Sequence, residues 1–249
     1  MSVAGRELPA SSPFAGDDGS CDPRLAAALD AFGRGDGSLA QVVTALAGTR
    51  VLVPVLAELE TADVVEVGEH RHTIDKEASA GIVALRAPDG RTALPVFSSV
   101  ASMAAWRSDA RPVPSDVARA ALSAVTEQWE LIVLDPGGPT TVLVPRPAVW
   151  ALAQQQEWQP AVIRTAGVDA VDPRIRSAIG RAIGAVAGVL AVDTVPGRRA
   201  EVAAVLTLVP GLDRARLDDV LGHVNAALAA DEAVTASVDS LELRVLAGP

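Results

Sequence analysis

The stretch DKEASAGIVALRAPDGRTALPVFSSVASMAAW, residues 75–106, decides the fold. Within it GIVALR (81–86) and RTALPVF (91–97) read as two strands flanking APDG, whose Asp89-Gly90 pair is a strong hairpin signal. Pro95 removes a ladder donor and implies an interrupted or edge pairing there. Ser98 and Ser99 follow at once and can cap a helix running through Trp106. A hairpin that hands directly to a helix marks a mixed α/β domain.

Working outward toward the C-terminus, RSDARPVP (107–114) reads as a loop and Ser115 as the cap of a helix to about Gln128. LIVL (131–134) and TVLV (141–144) are paired strands around DPGGPT, and Pro147 stands at a helix start running to about Gln156. Toward the N-terminus, RVLVPVLAEL (50–59) is a buried strand in which Pro54 points to an edge or a bulge. Before it, Leu39, Val42, Val43 and Leu46 form one apolar helical stripe, with Ser38 as cap and Gly48 as stop. Asp22 and Pro23 supply an N-cap and a first-turn proline for a helix over Leu25 to Phe32. Residues 1–21, rich in Ser, Gly, Pro and Asp, read as a flexible arm, and 22–158 as the first domain.

From residue 159 to 249 the order is simpler. AVIRTAGV is a strand, Asp172-Pro173 opens a helix with Ile175, Ile179, Ile183 and Val186 on one face, and 188–195 with 201–209 form a hairpin across PGRR. A helix at about 213–230 carries Leu217, Val220, Leu221, Val224 and Leu228 on one stripe, and Leu241, Leu243 and Val245 alternate in a last strand. The order β-α-β-β-α-β predicts a ferredoxin-like domain.

Three stretches of the first domain, 75–106, LIVLDPGGPTTVLVPRPAVWALA (131–153) and TRVLVPVLAEL (49–59), resemble the SseB family, whose N-terminal domain is named for a bacterial serine-sensitivity protein. With their helices they span about residues 25–156; the sequence departs from the family pattern at Ala80-Gly81, where a larger apolar residue is usual. The resemblance implies a fold and a bacterial cytosolic setting, and brings no catalytic residues with it. Two other protein types share the label. A secretion-system translocator needs long helical segments that this chain lacks, and a sulfurtransferase needs an active Cys in a tight anion-binding loop, whereas Cys21 sits at the edge of the arm before Asp22-Pro23.

Composition narrows the function classes. A net charge of −10 with no Lys/Arg cluster excludes a phosphate-backbone partner, so no nucleic acid is expected. One Cys allows neither an internal disulfide nor a Cys-based metal cluster, and no apolar run reaches spanning length, so a cytoplasmic protein without a membrane partner is expected. Arg far outnumbers Lys, a bias of GC-rich coding that, with the resemblance, points to a high-GC actinobacterial source.

Each candidate site has a bland counterpart. His70 and His72, beside Glu66, Glu69 and Asp75, form an H-x-H pair suited to a divalent metal if extended; otherwise 66–79 is a solvated connector. Only His223, on a predicted helix, could add an imidazole. Lys76, the only Lys, sits between Asp75 and Glu77 as a carboxylate or phosphate contact or a surface ion pair. Ser98 and Ser99 could receive an anion at a strand-to-helix turn, or simply cap. Gly167, in the Thr165–Asp172 loop, occupies the place where such modules bind amino acids or anions. The expectation is a non-enzymatic interaction or regulatory protein without a cofactor, its partner another protein or a second copy. A small-ligand (amino acid or anion) sensor, and a hydrolase at Ser98/Ser99 or metal enzyme at His70/His72, are the alternatives.

Overall fold

The computed structural model describes residues 14–56, 64–67, 70–74, 83–87, 89–165 and 167–247. By its contacts the chain divides into two units, residues 1–144 with 152–156, and residues 145–151 with 157–249. The first unit opens with α1 (Pro23–Gly33), capped by Asp22, whose carboxylate accepts from the Arg24 and Leu25 amides. Next comes α2 (Leu39–Leu46), held by a capping box between Ser38 and Gln41 that satisfies two orphan donors reciprocally. Their apolar stripes bury Leu25, Leu29, Val42, Val43 and Leu46.

The sheet contains β2 (Val64–Val67), β3 (His70–Ile74), β4 (Leu85–Arg86), β5 (Thr92–Val96), β7 (Leu131–Leu134) and β8 (Val142–Val144), in the order β2-β3-β4-β5-β7-β8. Its neighbours are antiparallel except β5 and β7, which run parallel with Val96 beside Leu134. All four residues of β7 are buried, as a strand covered on both faces requires. Between β5 and β7 the chain passes through α3 (Val100–Trp106), β6 (Arg111–Asp116) and α4 (Val117–Thr126).

Two expectations need correction. Residues 107–114, read as a loop, include most of β6, which pairs antiparallel with β1 (Arg50–Val55) so that Pro54 faces Pro112 and Leu52 faces Pro114. The prolines are tolerated because Leu52 exchanges both backbone bonds with Phe97 on its other side, at 2.9 Å each. That alternation assigns the β6 hydrogen bonds to Val51, Val53 and Val55, so none of the three prolines is asked for a donor. Ser115 accordingly lies in β6, and Asp116 is the N-cap of α4. The segment read as a solvated connector over 66–79 instead contributes the β2–β3 hairpin as far as Ile74, since Val64, Val65, Val67, Thr73 and Ile74 are β-branched residues that suit a pleated surface. Lys76, the remaining polar positions from 75 and the end of the 50–59 strand lie outside the described residues.

Pro95 meets the expected interruption. The Asp135 amide donates to Val96 O (2.9 Å), so even-numbered residues of β5 serve β7, and Pro95 faces β4, whose pairing stops at Ala93.

The second unit takes the N-terminal residues of α5 (Arg146–Ala153), then β9 (Val162–Thr165), β10 (Val168–Val171), α6 (Pro173–Gly184), β11 (Val189–Pro196), β12 (Val202–Leu208), α7 (Arg214–Ala230), α8 (Glu232–Ser237) and β13 (Leu241–Ala247). The mixed α+β class holds in both units. The expected element order is present here with an added strand, β10, and an added helix, α8. Its pairing is shared between a β9–β10 hairpin and a three-stranded sheet, β11-β12-β13, in which β12 and β13 are direct parallel neighbours. Ile175, Ile179 and Ile183 of α6 with Val220, Val224 and Leu228 of α7 pack on Val202, Ala204, Leu206 and Leu208, so the helices cover one face of that sheet. Among the described residues no helix is long and apolar enough to cross a membrane.

Arg146 ties the end of α8 to this unit. Its Nη2 donates to the carbonyls of Thr235 (2.8 Å) and Val238 (2.9 Å), and its amide donates to Asp239 Oδ1 (3.1 Å). A cation on the last carbonyls of a helix satisfies acceptors that the helix itself leaves open. Glu201 Oε2 accepts the Asp239 amide at 2.8 Å, and burial pushes the Glu201 carboxyl above the usual carboxylate range.

Candidate functional site

Register alone brings two polar groups together at the carboxyl ends of the parallel strands. Because Val96 stands beside Leu134, the next residues of each strand are Phe97 and Asp135, and Ser98 follows as the chain turns into α3. The carboxyl ends of parallel strands are where α/β sheets present their sites. The Ser98 amide donates to Asp135 Oδ1 at 2.8 Å, and its hydroxyl donates to Asp135 Oδ2 at 2.6 Å. Ser102 Oγ lies 3.3 Å from Ser98 Oγ and 2.8 Å from Ser99 Oγ, and Ser99 Oγ accepts the Ser102 amide at 3.0 Å as the cap of α3. The two serines therefore divide the work, Ser99 capping and Ser98 holding the carboxylate.

Asp135 has φ +49°, a left-handed conformation that Asp and Asn tolerate best among residues with a Cβ. Its carbonyl accepts from Gly138 N (3.1 Å) and Thr141 Oγ1 (2.9 Å), which closes the DPGGPT turn. Gly137, at φ +72°, supplies the second positive φ that the turn needs. Burial pushes the Asp135 carboxyl above the usual carboxylate range, while the Ser98 hydroxyl and amide pull it back part of the way. Ser98 is 4% exposed and Asp135 6%, so no substrate carbonyl reaches the Ser98 hydroxyl unless the site opens.

On its solvent side Ser98 is gripped by Arg50, the first residue of β1. Arg50 Nη1 donates to Ser98 O at 2.9 Å, Nη2 to Asp17 Oδ1 at 2.7 Å and to Ser20 O at 2.6 Å, and Nε pairs with Asp17 Oδ2 at 2.6 Å. The two-point pair holds the Asp17 carboxyl below its ordinary range, chiefly through the Arg50 hydrogen bond. Residues 17–20, read from sequence as part of an arm, are thus pinned here, and the Val100 amide adds a bond to Gly19 O at 2.9 Å. A Cβ on Gly19 would stand 2.6 Å from Val100 Cγ2, so the close approach requires glycine. The Cys21 thiol donates to Asp22 O at 3.5 Å and also meets Ser98; burial pushes it up, which disfavours the thiolate. Phe14, Asp17, Asp18, Cys21, Asp22 and Arg50 line a cleft of about 470 Å³ at this place. Three carboxylates, each already accepting hydrogen bonds within the chain, beside one engaged guanidinium give the cleft an acidic lining.

The other sequence candidates fall elsewhere. His70 and His72 stand on β3 opposite Val67 and Val65, and no group of three His, Cys, Asp or Glu that could hold a metal ion occurs among the described residues. His223 Nδ1 lies 2.7 Å from Asp219 O within α7. Gly167 belongs to the second unit, at the β9–β10 turn with φ +80°. Trp106 packs on Phe97 with ring centroids 5.2 Å apart, while Trp150 is exposed. Arg50, Asp17, Ser102 and Asp135 were not singled out from sequence. The available signal for Asp135 was its place directly after the fully apolar LIVL strand.

Residues 25–151 match a protein-family model described as the SseB protein N-terminal domain. No curated protein and no solved structure matches the chain.

Replacing Asp135 by Ala leaves the buried Ser98 amide without an acceptor, at about 1–3 kcal/mol, and the hydroxyl with only its longer contact to Ser102 Oγ. Urea unfolding is expected to show Asp135→Ala destabilised by several times as much as Asp135→Asn, which keeps an acceptor and tolerates positive φ. The raised carboxyl also sets a pH dependence. The folded state favours the protonated form, so the stability advantage associated with that form is present at acid pH. It is lost as pH rises through the ordinary carboxylate range toward the raised folded value. Wild-type stability measured against Asp135→Asn should therefore fall with rising pH across that window; a flat difference contradicts the assignment.

Proposed function

The chain belongs to the SseB family, and we propose that it acts in the bacterial cytosol as a non-catalytic interaction or regulatory protein that binds another protein through the sheet of its second unit. The carrying observation is that the β11-β12-β13 sheet packs α6 and α7 on one face and ends on β13, where Val245 is 44% and Leu246 54% exposed. Leu190 of β11 is 56% exposed on the same sheet. Apolar surface held in water on a regular, hydrogen-bonded element is what a protein interface is built from. Commitment of Ser98 to a buried carboxylate supports binding over hydrolysis, because a hydroxyl that donates to Asp135 at 2.6 Å and is almost fully buried is poorly placed to attack a substrate.

Site-specific photocrosslinking tests this reading. A benzophenone amino acid placed at Leu246 should give a discrete protein adduct in cells that make the chain, and the same group at exposed Arg119 of α4 should not. Failure of the Leu246 probe to capture any protein contradicts it.

The cleft beside Arg50 favours a second reading, a small-ligand sensor. Its carboxylates select an amine-bearing ligand, so among amino acids and simple anions a thermal-shift panel should respond to the former. At a hundred times Kd the expected stabilisation is about 2.7 kcal/mol. No shift from any amino acid at millimolar concentration removes this reading.

A further inference from the structure

Resting on the reading of the second unit as a protein-contact surface, we propose that the partner of β13 is β13 of a second copy of the chain, paired antiparallel about Leu243. The two edges of the β11-β12-β13 sheet differ. β11 carries a register shift between Val189 and Ala191 and lies beside β10, so its edge is irregular and partly covered. β13 is seven residues of LELRVLA without proline or bulge, and among the described residues no strand pairs with its outer edge. Such an edge is a template for another strand.

The hydrogen-bond alternation says which residues face outward. Val202 pairs with Leu241, and its amide donates to Ser240 O, so Ser240, Glu242 and Arg244 direct their backbone groups at β12. Leu241, Leu243 and Val245 therefore direct theirs at the open edge. An antiparallel mate bonded there can centre on any of these residues, and the side chains choose among them. Centring on Leu243 places Glu242 opposite Arg244 of the mate and Arg244 opposite its Glu242, in the non-hydrogen-bonded positions where side chains approach most closely. Centres on Glu242 or Arg244 oppose like charges, and centres on Leu241 or Val245 leave both charges without a counterpart.

The apolar residues agree with the same register. Leu241 and Leu243 pack against the core on the helix-covered face, and Val245, on that face too, is the exposed one. The proposed pairing sets Leu241 of the mate across from Val245 and Leu243 across from its own counterpart, which joins two cores along one continuous six-stranded sheet. Within one copy Arg244 Nε donates to Glu242 Oε1 at 3.0 Å, so the two charges already share the opposite face and exchange partners on association.

Sedimentation equilibrium of the full chain from about 1 to about 200 μM, a range bracketing micromolar association, tests this with E242R, R244E and their equimolar mixture. Wild type is expected to dimerise, and each variant alone, opposing like charges at two symmetric positions, to weaken the dimer by about tenfold or more. Mixed together, the two variants restore attraction at both positions and are expected to form a heterodimer near wild-type strength. A wild-type chain that stays monomeric throughout overturns the proposal. So does a dimer that neither variant weakens. In both cases a Leu246 adduct to a different protein leaves the broader reading standing.

Discussion

The first unit depends on one buried pair, the Asp135 carboxylate and the two donors of Ser98. Two parallel strands end side by side there, and each chain then leaves in a different direction, one into α3 and one into a tight turn. Without a common acceptor the Ser98 amide would be stranded in a nearly dry site and its hydroxyl left with only Ser102. Asp135 supplies that acceptor, and its raised affinity for a proton reports what burial costs the charged form. Arg50 extends the arrangement outward by holding the Ser98 carbonyl, Asp17 and Ser20 at once, so β1, the α3 turn and the N-terminal segment share one polar knot.

Local chemistry was legible in the sequence wherever the determinant and its effect lie within one turn. Asp22-Pro23, Ser38, Ser99 and Asp172-Pro173 start helices where expected, and Asp89-Gly90 turns the chain between β4 and β5. The knot was only half legible. Ser98 stood out as a cap candidate, but its partner lies 37 residues away, and Arg50 reaches Ser98 across 48. Nothing local announces such pairings. The prolines of 107–114 misled for a related reason. They argue against a strand unless every missing donor falls where the ladder asks for none, and that follows from Leu52 turning its bonds to Phe97. In the second unit the element order was readable while the adjacency of β12 and β13 was not, since strand order is set by non-local pairing.

The two units present different kinds of surface. The first turns Ser98, Asp135 and Arg50 on one another and carries most of the family match over residues 25–151. The second lies mostly beyond that match, with a sheet whose last strand alternates charged and apolar residues from Leu241 to Val245. The proposed recognition thus lies in the second unit, while the Ser98–Asp135 contact serves the structural integrity of the SseB domain.

Amide hydrogen exchange at Ser98 tests that last assignment most directly. If the amide is locked onto a buried Asp135, it should exchange as slowly as the core amides of β5 and β7, opening only with the domain. Exchange of Ser98 at the rate of an exposed loop amide, with β5 and β7 still protected, would contradict the account.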